Sequence, residues 1–336
     1  MYILVTYPNA RSNETLYPSA VVDRLESLGE VDWNDSDEQL SRDELRDRLE
    51  GVDVCVTGWG THELSEYVLG EAGSLELVAH VGGSVASIAS PALYDREIPV
   101  CSANHVMAPF VAEGILSYVL SSFRSVIDFD AAVKRGEWPS KAGDPTDSLY
   151  GATVGFVGLG TVGRTLLELL EPFDVTVDVY DPYISSDDLA PFDFATRADL
   201  ESTLEGADVV SIHASKTPET LHMIDTDRLA SLPDGCLLVN AARGAIVDED
   251  ALVDELETGR ISAALDVYEE EPLPEDHPLR DIENVVLGPH VAGNPCRRHL
   301  ADAVVTEVER FDRGDPLQHT VPRERYEMMT RDWLSA

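Results

Sequence analysis

Lysine is nearly absent from these 336 residues: only Lys134, Lys141 and Lys216 occur. Against 63 Asp and Glu stand 24 Lys and Arg, a formal charge of -39 at pH 7. That deficit of cations argues against nucleic acid, whose phosphates must be met by Lys and Arg, and against an anionic membrane surface. So acidic and lysine-poor a surface on an ordinary core suits a salt-rich cytoplasm, where screening removes the self-repulsion of like charges. Cysteine is also scarce. Cys55, Cys101, Cys236 and Cys296 are isolated, without a CxxC pair, so neither a disulfide framework nor a metal site is expected. No apolar stretch approaches membrane-spanning length. The N-terminal MYILVTYPNA lacks the basic flank and cleavage site of a signal peptide and reads as a first strand. Internal repeats and low-complexity tracts are missing too. These absences predict a soluble cytoplasmic protein.

What is present is a hydrophobic residue content of 43%, enough for a sizeable core, and a length suited to about two domains. Short apolar runs alternate with amphipathic segments. YILVTY (2–7), DVCVTG (53–58), LELVAHVG (75–82) and IPVCSA (98–103) read as strands, and SAVVDRLESLG (19–29) as a helix. This rhythm predicts parallel α/β layers. It breaks at 108–136, which reads as one long apolar helix buried between domains or against a second subunit. The turn-rich 137–151 reads as a loop or arm. A second α/β series begins at Thr153, with strands over 153–157, 175–181, 207–214, 235–242, 262–268 and 285–293. Its last helix covers 295–317, and the tail of about twenty residues has no assignable pattern.

The second series opens on GLGTVG, which spaces Gly158, Gly160 and Gly163 as G-x-G-x-x-G. The motif follows a predicted strand, opens a predicted helix, and precedes a strand ending in Asp181, eighteen residues past Gly163. That context predicts dinucleotide binding. Gly158 permits the tight turn, Gly160 admits the pyrophosphate to the helix N-terminus, and Gly163 allows close helix–strand packing. Asp181 would accept from the ribose hydroxyls and repel a 2′-phosphate, so NAD is expected over NADP.

Downstream stand NAARGAIVDEDAL (240–252), LDVYEEEP (265–272) and GPHVAG (288–293). In this order after GLGTVG, they resemble the D-isomer-specific 2-hydroxyacid dehydrogenases, whose members include glyoxylate/hydroxypyruvate reductases and D-lactate and phosphoglycerate dehydrogenases. The likeness is specific over most of 100–295. It implies an α/β fold of two Rossmann-like domains with parallel sheets. The cofactor domain (101–290) is inserted into a substrate domain made of 1–100 and 291–336. The resemblance also implies a 2-oxoacid or 2-hydroxyacid substrate, and the long apolar helix at 108–136 leads to the expectation of a homodimer packed through it. The long phosphoglycerate dehydrogenases carry an added regulatory domain, for which the chain has no room.

By the same resemblance the catalytic arginine falls on Arg243, the acid on Glu271, the histidine on His290, and the nicotinamide-contacting aspartate on Asp266. Thr161 and Val162 lie over the pyrophosphate, Ala241 and Ala242 at the nicotinamide end, and Thr217 in a loop near the cofactor. Arg243 suits a carboxylate fork. A protonated His290 can donate to a carbonyl oxygen, and Glu271 would favour its charged form. Of the four carboxylates in LDVYEEEPLP, Glu269 and Glu270 match no family role and read as surface charge. The family pairs Glu with this histidine where formate dehydrogenases pair glutamine; a non-catalytic NAD-sensing regulator is the other alternative. One loop departs from the family: G-V-G-V-D-N-I is here HVGGSVASI (80–88), with Ser84 and Val85 in place of the acidic and amide residues. The N–H groups of Val81, Gly82 and Gly83 could form a carboxylate-binding nest. Trp59, in TGWGT, reads equally as a pocket wall or a core tryptophan.

Overall fold

The computed structural model describes residues 1–139 and 147–329. The expectations for 140–146 of the turn-rich arm and for 330–336 of the tail lie outside the described residues. The chain divides into two units. The first joins Met1–Met107 to the stretch from Asn294, and the second is Ala108–Gly293.

The first unit holds a five-stranded sheet: β1 (Tyr2–Val5), β2 (Glu30–Trp33), β3 (Val54–Thr57), β4 (Leu77–His80) and β5 (Val100–Ser102). All pairings are parallel, in the order β2-β1-β3-β4-β5. VCVT and LVAH are buried at every residue, as expected of central parallel strands covered on both faces. Leu45, Leu64, Leu69, Ile88 and Leu93 pack one face. The C-terminal stretch returns to this sheet by an antiparallel bridge between Cys101 and Thr320. Tyr326 of the short helix Arg323–Glu327 then stacks on Tyr94 at 5.1 Å.

The second unit holds a seven-stranded parallel sheet: β6 (Thr153–Val157), β7 (Thr176–Tyr180), β8 (Ala195–Arg197), β9 (Val209–Ile212), β10 (Leu237–Asn240), β11 (Ser262–Leu265) and β12 (Val285–Leu287). Its order is β12-β11-β10-β9-β6-β7-β8. The chain proceeds outward from β6 through β7 and β8, then restarts at β9 on the other side. The C-terminal ends of β6 and β9 therefore flank a topological switch point, where open α/β sheets bind ligands. Side chains alternate between two cores. Leu237 and Val239 face one, with helix Thr161–Leu170. Leu238 faces the other, with helices Leu200–Glu205, Thr226–Ser231 and Glu249–Glu257.

The single helix expected over 108–136 is two helices, Asn104–Phe123 and Val126–Lys134, because Ser125 turns into the left-handed region (φ 45°). The first of these also corrects the reading on apolar runs: its 20 residues, with hydropathy 1.5, suffice to cross a membrane by length and composition alone. Its Ala112, Ile115, Val119 and Phe123 are buried in a core of the second unit.

Candidate active site

The switch point is occupied by the glycine turn. Gly158 has φ +92°, and a Cβ there would lie 2.7 Å from the Ala214 nitrogen, so glycine is required on both counts. A Cβ at Gly163 would meet the His213 ring and Leu159 at 3.4 Å, which is a packing contact between helix and strand. At Gly160 nothing lies nearer than 3.9 Å. No intrachain packing demands glycine there, and the opening suits the approach of a phosphate to the helix that starts at Thr161 and Val162. Asp181, just beyond β7, takes the Leu159 N–H on Oδ2 (2.7 Å) and the Tyr183 N–H on Oδ1 (2.8 Å). Its carboxylate is thereby fixed over the start of the turn. Thr217 lies in a tight loop after β9, where its N–H donates to Thr220 Oγ1 (2.8 Å) and the Thr220 hydroxyl donates to the Ser215 carbonyl (2.6 Å).

The remaining candidates gather at the ends of β10, β11 and β12. Buried Asn240 ends β10, donating from Nδ2 to the Arg243 carbonyl (2.9 Å) and accepting the Ala242 N–H on Oδ1 (3.0 Å). This shapes the Ala241–Arg243 turn. The backbone of the β11 exit crosses Gly244 so closely that a Cβ there would sit 1.9 Å from the Tyr268 carbonyl carbon. Asp266, 1% exposed, follows β11. Its Oδ1 accepts from the Tyr118 hydroxyl (2.8 Å) and the Val291 N–H (3.0 Å), and its Oδ2 accepts from the Ala292 N–H (2.8 Å). The Tyr268 hydroxyl donates to the Gly288 carbonyl (2.8 Å), joining the exits of β11 and β12.

These supports bring Glu271 to His290. His290 Nδ1 lies 2.7 Å from Glu271 Oε2, while Glu271 Oε1 accepts the Tyr268 N–H at 3.1 Å. Nδ1 is thus the held nitrogen and Nε2 the one left for other chemistry. His290 takes φ 56°, a left-handed conformation that non-glycine residues seldom adopt. The Glu271 hydrogen bond holds the imidazole above its ordinary pKa, against burial and the nearby Arg243 charge. Burial pushes the Glu271 carboxyl up. The hydrogen bonds from His290 and Tyr268 and the charges of His290 and Arg243 outweigh it, so the net direction is down. A charged pair beside an arginine can bind a carboxylate and deliver one proton.

In the first unit the expected carboxylate nest does not form from all three N–H groups. The Val81 N–H donates to the Thr57 carbonyl (2.8 Å) and the Gly82 N–H to the His80 carbonyl (2.9 Å). The end of the β3–β4 pairing and a tight turn consume both donors, and of the three only the Gly83 N–H is not so engaged. A Cβ at Gly82 would lie 2.4 Å from His80 Nε2, and one at Gly83 would lie 2.9 Å from Met107 Sδ. Burial pushes His80 down to about 4, so its ring is a neutral support under the loop. Trp59 is no core residue. It is 37% exposed, with the Arg297 guanidinium 5.4 Å above its ring.

Residues 116–292 match the family described as D-isomer specific 2-hydroxyacid dehydrogenase, NAD binding domain. A glyoxylate reductase of Thermofilum pendens is 35% identical over 291 residues, covering 84% of each chain. The chain belongs to the D-isomer-specific 2-hydroxyacid dehydrogenases. A D-3-phosphoglycerate dehydrogenase of Methanocaldococcus jannaschii is 31% identical over 300 residues, covering 88% of this chain and 56% of that one. The chain spans only about half the length of the phosphoglycerate dehydrogenases it matches. A phosphoglycerate oxidoreductase from Rhizobium etli has a TM-score of 0.80 at 26% identity, covering 96% of this chain and 98% of that one.

In this member of the family several site residues escaped the reading of the sequence. Asn240 and Gly244 stood inside a quoted motif, where their polar and small character was the available signal. Tyr118 had none, because its partner Asp266 lies 148 positions away. His213 was also missed. Its ring tilts on Phe156 at 4.6 Å, Nε2 is shielded from solvent without a partner, and burial pushes its pKa down to about 3. Glu269, expected as surface charge, is instead drawn into contacts with Glu249 and His222.

Proposed function

We propose that this dehydrogenase works mainly as an NAD-dependent 2-oxoacid reductase on the D-hydroxyacid side. The observation that carries the reading is the Glu271–His290 contact, 2.7 Å long and beside Arg243, on the unit that carries the glycine turn. The turn fits NAD: Gly160 leaves open space, and Asp181 presents a fixed anion disfavouring a 2′-phosphate. When bound, the reduced nicotinamide supplies a hydride to C2. Gly158, Gly160, Thr161, Val162 and Gly163 would hold the pyrophosphate end, Ala241 and Ala242 would line the nicotinamide end, and Thr217 would stand in a loop near the cofactor. Asp266 reaches the cofactor only through the acceptor capacity left on Oδ2, since three protein donors occupy the rest.

Arg243 grips the substrate carboxylate with its guanidinium fork. His290 donates its Nε2 proton to the C2 oxygen as negative charge develops there, and takes it back in the oxidation. Glu271 keeps that proton available and the ring oriented. Within the first unit, the Gly83 N–H and Trp59 are the groups suited to substrate contact. The exposed Val126, Ile127 and Val133 support a homodimer packed through 108–136, on helix Val126–Lys134. The charge of -39 supports a salt-rich cytoplasm as its setting and argues against nucleic-acid or membrane partners. The test is NADH oxidation by the full chain in molar KCl, with glyoxylate, hydroxypyruvate, pyruvate, and branched and aromatic 2-oxoacids. Turnover of at least one is expected. NADH binding without turnover of any would overturn the reading in favour of an NAD-sensing protein.

A further inference from the structure

Between the turn carrying Arg243 and the segment carrying Glu271 lies a group of five titratable side chains that the mechanism leaves unused. The Glu269 N–H donates to Glu249 Oε2 (3.1 Å), and the Glu249 N–H donates to Glu269 Oε1 (3.2 Å). The two residues are twenty positions apart, and each side chain caps the other's backbone. Their side chains are only 14% and 22% exposed, for Glu249 and Glu269 respectively. Two carboxylates at such range need positive or donor partners, and two histidines supply them. His277 Nε2 lies 3.2 Å from Glu249 Oε1. Its Nδ1 accepts the Leu279 N–H (3.3 Å), which puts the proton of the neutral ring on Nε2, facing Glu249. His222 Nε2 lies 2.8 Å from Glu269 Oε1, at ion-pair distance without hydrogen-bond alignment. His222 holds φ 48°, and its N–H donates to the Ala245 carbonyl (2.9 Å). A non-glycine residue kept in that region is held there by its surroundings. Asp248 completes the group. It caps helix Glu249–Glu257 through the Ala251 N–H (3.0 Å), with Oδ2 3.9 Å from His222 Nδ1.

This group joins three pieces of backbone. One is the turn Gly244–Ile246, directly after Arg243. The second is the N-terminus of helix Glu249–Glu257, and the third is Tyr268–Glu269, two residues before Glu271. Gly244 packs directly on that third piece. We propose that the reciprocal Glu249–Glu269 brace, backed by His222 and His277, sets the position of Arg243 relative to the Glu271–His290 pair. Glu269 is then a positioning residue for reduction, not spare surface charge. The proposal rests on the roles given above to Arg243, Glu271 and His290. Its physical basis is that a displacement of about 1 Å in a catalytic group costs on the order of a hundredfold in rate.

The test compares Glu269→Leu, Glu269→Asp and Glu269→Gln with exposed Glu270→Gln in the full chain, with rates normalised to NADH-binding sites. Leu removes the acceptor for the Glu249 N–H, and Asp is one methylene too short to reach it. Both should lower kcat/KM for the 2-oxoacid by roughly ten- to a hundredfold, raising KM as well as lowering kcat. The NADH dissociation constant and the pH of the basic limb should stay in place. Gln keeps an acceptor oxygen and should restore most of the activity, and Glu270→Gln should match wild type. If Leu does not fold, Asp decides. Asp at wild-type kcat and KM overturns the brace, as does Leu within twofold of wild type, or Gln falling as far as Asp. Wild type inert toward every 2-oxoacid would instead overturn the proposed function, so the two failures are distinguishable.

Discussion

Replacing Glu271 by Gln removes one charge from the site while preserving shape and an acceptor for His290 Nδ1. The pair is 2.7 Å apart between heavy atoms, with 51% of the His290 side chain and 36% of the Glu271 side chain exposed. For charge centres about 4 Å apart, attraction ranges from about 1 kcal/mol in water to about 4 kcal/mol in a protein-like medium. Exposure and salt place this pair toward the lower end, at about 1–2 kcal/mol. The sign follows from the hydrogen bond that raises the imidazole pKa. The proposed reduction requires protonated His290, so on that proposal activity is present below that pKa and lost as pH rises through it. Without the Glu271 charge the loss begins at lower pH. On the alkaline side, where the imidazolium is scarce, the reduction rate should fall by roughly tenfold, the equivalent of about 1.4 kcal/mol. On the acidic side it should stay near wild type, because the amide oxygen of the Glu271→Gln side chain still orients the ring. Steady-state NADH oxidation across pH, with the NADH dissociation constant as control, measures this. A basic limb that stays in place or moves upward refutes the reasoning. So does a Glu270→Gln protein whose limb moves while that of Glu271→Gln does not.

Asp181→Ala should weaken NADH binding and narrow the preference over NADPH; it also frees the Leu159 and Tyr183 N–H groups. Wild-type preference for NADPH in fluorescence titration would contradict the role given to Asp181. Gly244→Ala places a methyl 1.9 Å from the Tyr268 carbonyl carbon, so backbone must move. Overpacking of this kind costs about 1–3 kcal/mol, to be read as a lower Tm with a raised 2-oxoacid KM; an unchanged Tm would count against the crossing. From the charge of -39, Tm and activity should both rise from dilute buffer to molar KCl, and full activity with unchanged melting in dilute buffer would remove the salt-adapted reading.

Legibility in the sequence followed burial. Runs such as VCVT and LLVN are buried at every position and stand out as apolar. The edge strands EVDW and ATR are partly exposed, mix charge with apolar residues, and carry no such signal. The helix Arg42–Arg48 lacks an apolar run as well, although Ser41 and Glu44 form a capping box that its sequence displays. The break at Ser125 had neither glycine nor proline to announce it. At the site, residue types were legible because the proposed chemistry demands them: a fork for a carboxylate, an imidazole for a proton, a carboxylate for the imidazole. Their wiring was not. Whether the Val81 and Gly82 N–H groups are free depends on the neighbouring strand end and turn. Whether Glu269 faces water depends on Glu249 and His222, which no local pattern connects to it.

Gly288 bears on how this sequence is able to change over time. A Cβ there would lie 2.1 Å from the Tyr118 hydroxyl and 2.4 Å from Asp266 Oδ1. Glycine is thus required there by two partners at once. Shortening Tyr118 removes only the first contact, and a side chain at 288 would still meet the carboxylate that holds the Val291 and Ala292 N–H groups. Relatives that diverge here should have changed both Tyr118 and Asp266 before they gain a side chain at the glycine, although 170 positions separate Gly288 from Tyr118 in the chain.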